Sequence, residues 1–121
     1  VEATIRIGEL ARRTGVSQRL LRYYEERGLL QPERRPSGYR AYDGVDVERV
    51  RRIRILLTAG LSTSTIRTVL PCTVDTGEGL AAACPDLLAD LRRERTRIIR
   101  SITELDDARA VLDAMIAATP R

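Results

Sequence analysis

A chain of 121 residues provides for one small domain with an appendage and a single modest core. No stretch reads as a signal peptide and no apolar run reaches the ~18 residues of a membrane span, so a cytoplasmic protein with no membrane partner is expected. Histidine is absent, which removes the commonest general base, and neither a glycine-rich phosphate loop nor a convincing carboxylate pair is present, so an enzyme is not expected.

All 21 basic residues are Arg, and 13 of them fall in residues 1–54 against 8 acids, while residues 55–121 carry 8 Arg and 9 acids. The first half is therefore net positive and the second nearly neutral. The planar guanidinium fork suits phosphates and guanine edges. GC-rich codon usage would account for the missing lysine, but not for a surplus confined to one half. All four aromatic residues, Tyr23, Tyr24, Tyr39 and Tyr42, lie between Ile7 and Tyr42. Aromatic content gathered there, and not spread through a core, points to a surface that grips nucleic acid.

Residues 1–6 read as a short lead-in. Ile7, Leu10 and Ala11 recur at helical spacing and predict a helix over 7–13. Gly15 ends it in the left-handed conformation. Ser17 caps a second helix running to about Arg27, with Leu20, Leu21 and Tyr24 on one face and Gln18, Arg19, Arg22, Tyr23 and Glu26 on the other. Gly28 stops it, and Leu29-Leu30 return to the core. Pro32, Pro36 and Ser37-Gly38 punctuate a two-stranded hairpin with its tip near Arg35 to Gly38. Asp46 is expected to cap a third helix over 47–59 that buries Val47, Val50, Ile53 and Leu57. Ser62 caps a fourth with Ile66, Val69 and Leu70 inward, and Pro71 terminates it. Residues 72–84 read as a loop or partly helical linker. Pro85 opens a final helix to about Ala118, on the order of 50 Å long at 1.5 Å per residue. Its seam of Leu88, Leu91, Ile98, Ile102, Leu105, Leu112 and Ile116 follows a heptad, interrupted by Arg95 and Arg109, and calls for a partner helix.

Two helices joined by a tight glycine turn make a helix-turn-helix. The candidate DNA-contacting residues are Ser17, Gln18, Arg19, Arg22, Tyr23 and Tyr24 on the second helix, and Arg35, Gly38, Tyr39, Arg40 and Tyr42 on the hairpin. Gln reads adenine, Arg reads guanine or holds phosphate, and Tyr hydroxyls donate to phosphate. Tyr24, which shares a face with Leu21, reads equally as core, and Tyr42 also fits the base of the hairpin.

The runs IGELARRTGVS, LRYYEERGLL, SGYRAYDGVDVERV and LTAGLSTSTIRTVL resemble the MerR family of bacterial transcription regulators across about residues 5–70. The resemblance implies a mainly α fold with a small β hairpin: a winged helix-turn-helix over 1–71, a linker over 72–84, and a dimerisation helix over 85–121 that forms an antiparallel coiled coil. It implies a homodimer on double-stranded promoter DNA whose distortion realigns the promoter for RNA polymerase, an indirect readout. Arg22, Tyr23 and Tyr24 match the family's recognition-helix contacts, and Tyr39, Arg40 and Tyr42 its wing.

The family's effector module would follow the long helix, and the sequence through Arg121 shows neither a large drug-binding domain nor a Cys-rich metal loop. Cys72 and Cys84 are the remaining effector or redox candidates. In a cytosolic protein they are expected reduced, and a thiol-bound metal, a disulfide or no sensing role all stay open. No cofactor is required for the fold. The competing reading is a ligand-independent or architectural DNA-binding regulator.

Overall fold

The computed structural model describes residues 4–121, so the first three residues of the lead-in lie outside it. The chain divides into two compact units, Val1–Ala81 and Ala82–Arg121.

The first unit begins with α1 (Ile7–Thr14), which ends at Gly15 with φ 71°. The Gly15 amide donates to Ala11 O at 2.9 Å, closing the last turn. Helix α2 (Gln18–Glu26) starts where the Ser17 hydroxyl accepts from the Leu20 amide at 3.1 Å. Leu21 and Tyr24, three apart, enter the core, whereas Leu20 is exposed, contrary to the sequence expectation. One turn of helix carries Leu20 past the edge of the buried stripe.

Strands β1 (Glu33–Arg34) and β2 (Arg40–Ala41) pair antiparallel, with Glu33 opposite Ala41 and Arg34 opposite Arg40. The lead-in is more than a tail: Ile5 and Tyr42 exchange backbone hydrogen bonds of 2.7 and 2.8 Å, fastening it beside β2.

Helix α3 (Gly44–Thr58) begins earlier than expected, and its cap is Asp43. Asp43 Oδ1 accepts from the Asp46 amide at 3.2 Å, and Asp46 Oδ2 accepts from the Asp43 amide at 3.1 Å. The two aspartates thus form a reciprocal capping box, and Asp46 is its inner member. Burial, more than any neighbour, raises the Asp46 carboxyl above the ordinary aspartate range. Val50, Ile53 and Leu56 are fully buried, with Val47 and Leu57 at the margin. Leu56 therefore takes the central place expected of Leu57.

Ser62 caps α4 (Thr63–Val69) by accepting from the Thr65 amide at 3.2 Å. A 3-10 turn over Leu70–Cys72 includes Pro71 and follows directly. Residues 72–84 are not simply a linker: β3 (Thr73–Asp75) and β4 (Leu80–Ala82) form a second two-stranded sheet. The β-branched pair Thr73-Val74 leads into a turn in which Asp75 Oδ1 accepts from Gly77 N at 2.9 Å and the Thr76 amide donates to Gly79 O at 3.0 Å. Leu10, Leu21, Tyr24, Leu29, Leu30, Tyr42, Val50, Ile53 and Ile66 form the fully buried centre of this unit.

The second unit is dominated by α5 (Pro85–Ala118), 34 residues long with Pro85 in its first turn. Leu87 is its buried residue, a position the heptad reading did not single out. The apolar residues from Ile98 to Ile116 are exposed along its length.

Candidate nucleic-acid interface

The outer face of α2 carries Gln18, Arg19, Arg22 and Tyr23, all exposed, with Ser17 exposed at its start. Their positions follow from the inner face: anchoring Leu21 and Tyr24 in the core turns the intervening residues outward. Among the described residues, no carboxylate pairs with Arg19 or Arg22. Their donors are open to an external acceptor. The Gln18 amide lies over α1, where a Cβ on Gly8 would sit 3.5 Å from its Nε2. An alanine at position 8 would make ordinary van der Waals contact with Gln18.

The helix is held at both ends. Arg54 on α3 donates to Thr14 O at 3.1 Å, tying α3 to the turn that precedes α2. At the other end, Arg27 Nε donates to Thr63 Oγ1 on α4 at 2.9 Å. Gly28, at φ 77°, lies against the Arg67 side chain. Arg27 and Arg67 thus add a basic margin that periodicity could not reveal, because their contacts join distant stretches of sequence.

In the hairpin, the Gly38 amide donates to Arg35 O at 2.8 Å, and Gly38 adopts φ 90°, which a side chain would oppose. Tyr39 is exposed, with the Arg6 guanidinium 4.1 Å above its ring centroid. Arg35 donates to Thr4 Oγ1 at 3.2 Å and lies 3.7 Å from Glu33. Arg40 Nε donates to Glu25 on α2 at 2.6 Å, and Arg34 lies 3.6 Å from the same carboxylate. Glu25 is therefore the joint between recognition helix and wing, a role absent from the sequence reading. It fixes Arg40 as an anchor and leaves Arg34, not singled out earlier, more exposed.

Two of the four tyrosines belong to the core. Tyr24 and Tyr42 are each 1% exposed. This overturns the idea that the aromatic cluster as a whole is a contact surface, and it places both rings where their alternative reading put them. Burial first, then the Glu25 charge, pushes the Tyr42 phenol above its usual range, and burial does the same for Tyr24. The Tyr42 hydroxyl is buried with no hydrogen-bond partner among the described residues.

Cys72 and Cys84 are disulfide-bonded in this structure, which differs from the expected reduced thiols. Among the described residues, no three His, Cys, Asp or Glu side chains gather as metal ligands, and no helix is long and apolar enough to cross a membrane. On α5 the seam residues Leu88, Ile98, Ile102, Leu105, Leu112 and Ile116 are exposed, and Leu91 is half-buried.

The chain is 33% identical to the HTH-type transcriptional regulator HmrR of Rhizobium leguminosarum bv. viciae over 112 residues, covering 93% of this chain and 84% of that protein. It is 38% identical to the nodulation protein NolA of Bradyrhizobium elkanii, covering 91% of this chain but 55% of that protein. The chain thus spans about half the length of some of its relatives. Among solved structures, the N-terminal part of MtaN, the multidrug transporter activator of Bacillus subtilis, superposes with a TM-score of 0.72 at 22% identity, covering 93% of this chain and 97% of that one. HiNmlR, described as a MerR family regulator lacking the sensor domain and bound to promoter DNA, superposes with a TM-score of 0.58 at 22% identity, covering 95% and 89%. The sequence model of the MerR HTH family of regulatory proteins matches residues 5–72. With that match spanning more than half of a chain that carries the helix-turn-helix and its hairpin, the protein belongs to the MerR family of DNA-binding transcription regulators.

Proposed function

We propose that the protein acts as a homodimer on a two-fold site in promoter DNA, setting α2 in the major groove and the β1–β2 wing against the flanking backbone. The observation that carries this reading is the outward face of Gln18, Arg19, Arg22 and Tyr23, with two arginines that no carboxylate among the described residues neutralises. Gln18 and Arg19, at the start of the helix, are the base-reading candidates, while Arg22, Tyr23 and Tyr39 hold phosphate. Arg35 and Arg40 act by fixing the wing, and Tyr24 and Tyr42 by supporting both elements from within. Dimer binding then distorts the promoter, and the deformation energy serves as the signal to RNA polymerase. DNA bound to HiNmlR, a protein of the same fold, supports this placement.

For the effector, the disulfide-bonded state of Cys72 and Cys84 favours a thiol–disulfide response over a thiol-bound metal, because a metal ligand must be a free thiolate. Footprinting on the DNA upstream of the protein's own gene, with and without a dithiol reductant, tests both parts. A protected two-fold site between promoter elements is expected. Hypersensitive bases at its centre that change on reduction would support the distortion and the redox response. Unbiased selection of binding sites that yields no enriched sequence would refute sequence-specific binding.

A further inference from the structure

Three consecutive residues of the lead-in each reach a different residue of the β1–β2 hairpin. Thr4 Oγ1 accepts from Arg35 at 3.2 Å, the Ile5 backbone pairs with that of Tyr42, and the Arg6 guanidinium lies 4.1 Å from the Tyr39 ring centroid. The lead-in is thus laid along the hairpin and carries Arg6 onto Tyr39, where both residues are exposed. Charge within the hairpin itself is largely neutralised: Arg40 and Arg34 share Glu25, and Arg35 lies beside Glu33. Arg6 differs. Among the described residues its guanidinium has no carboxylate within ion-pair distance and no hydrogen bond. Stacking uses the flat face of a guanidinium and leaves the N–H groups on its rim directed outward. Arg6 therefore brings to the hairpin a positive charge whose donors no described residue accepts.

The needs of the fold do not account for an arginine at this position. Arg6 is the N-cap of α1, with φ −87° and ψ 167°, yet its side chain makes no cap hydrogen bond. That backbone is already in the extended conformation of a cap residue. A Ser, Thr, Asp or Asn there would accept from an amide of the first turn, and a cation sits at the unfavourable end of the helix dipole. Arg6 thus gives up a cap for α1 and places its charge on an exposed tyrosine of the hairpin instead. Such a local conflict between sequence and helix is expected at a functional position.

We propose that Arg6 and Tyr39 form one composite clamp for a backbone phosphate of duplex DNA, with the Arg6 N–H groups and the Tyr39 hydroxyl donating to the oxygens of the same phosphodiester. The clamp rests on the reading of the β1–β2 wing as a DNA contact and deepens it, because it places the lead-in within the interface. A phosphodiester suits the pair: the planar fork of a guanidinium matches two phosphate oxygens, and such charge-assisted bonds are the stronger kind. The two side chains act jointly. The ring covers one face of the guanidinium and restrains it, so Arg6 loses less side-chain freedom on binding than an arginine standing in water. The Thr4 and Ile5 contacts fix the backbone from which Arg6 projects.

Arg6→Ser in the full chain gives a readout in which stability and binding move apart. Serine supplies the missing cap, so the thermal midpoint is expected to hold or rise. Affinity for a DNA duplex of mixed sequence is expected to fall about fivefold, and the slope of log affinity against log salt to fall by about one per protomer. A variant that lost stability together with affinity, at an unchanged salt slope, would make Arg6 a structural residue and overturn the clamp. Joint action is read in a Tyr39→Ala background, where Arg6→Ser is expected to cost less than about twofold. The same loss of about fivefold in both backgrounds would show two independent residues and overturn the composite. Arg22→Ala on the same duplex separates this inference from the reading on which it rests. If Arg22→Ala weakens binding and Arg6→Ser does not, the clamp is overturned and the interface stands. If neither weakens binding, both are overturned.

Discussion

Arg40 on β2 donates from Nε to Glu25 on α2 at 2.6 Å, and this contact ties the hairpin to the second helix of the helix-turn-helix. Glu25 and Arg40 are both partly buried, so the pair is screened less than an open surface bridge. Arg34 approaches the same carboxylate. One acid therefore restrains two arginines of the hairpin.

Glu25→Gln should release both. Stability is expected to fall by about 1 kcal/mol, through loss of a partly buried charge-assisted bond. Binding to random DNA should strengthen, because two positive charges lose their neutralising partner, while the preference for the operator over random DNA narrows. Thermal unfolding and paired affinity titrations check this. An unchanged preference would show that the wing does not depend on Glu25 for its position.

Arg22→Ala should weaken operator binding by about 1–3 kcal/mol and leave the fold and self-association unchanged. Arg22 is exposed and takes no part in the core. As a phosphate contact, its removal should lower the slope of log affinity against log salt by about one. Wild-type affinity in Arg22→Ala would remove it from the interface.

Tyr42→Phe should be neutral or stabilising near neutral pH, by up to about 1 kcal/mol, because it deletes a buried hydroxyl without a partner among the described residues. The pH dependence has a definite sign. The phenol is raised in the folded state, so the folded protein holds its proton more tightly than the unfolded chain. Stability is then fully present below the ordinary tyrosine value of 10.0 and is lost as pH rises through the higher folded value. Tyr42→Phe should lose less stability over that alkaline window than wild type. Equal losses in denaturant titrations would place the alkaline sensitivity elsewhere.

Leu105→Asp should abolish the dimer at micromolar concentration. Leu105 is 71% exposed on α5, so its substitution removes no packing within the chain, and helicity should persist in the first unit. A dimer surviving in sedimentation velocity would count against the seam.

Local sequence determined most of the elements. Gly15, Ser17, Gly28 and Ser62 act on their immediate neighbours, so their caps and stops were legible where they stand. Pro85 and the heptad spacing likewise marked the course of α5. The tertiary structure decided what depends on distant partners. Tyr23 and Tyr24 are adjacent and chemically identical, yet one is exposed and the other sealed in the core. Helical spacing put them on opposite faces, but only packing in the core decided that Tyr24 is sealed there and not a contact residue. Asp43 displaced Asp46 as the cap because two backbone amides could be satisfied together. The second hairpin arose where the β-branched Thr73-Val74 met Leu80–Ala82 across a glycine turn, a pairing too brief to leave a period in the sequence. Charge told the same story. Composition located the arginine surplus, but only contacts between distant segments sorted anchors such as Arg40 from Arg19 and Arg22, which have no carboxylate partner among the described residues. Caps and periods are set by neighbours along the chain, whereas burial and ion pairing are set by neighbours in space.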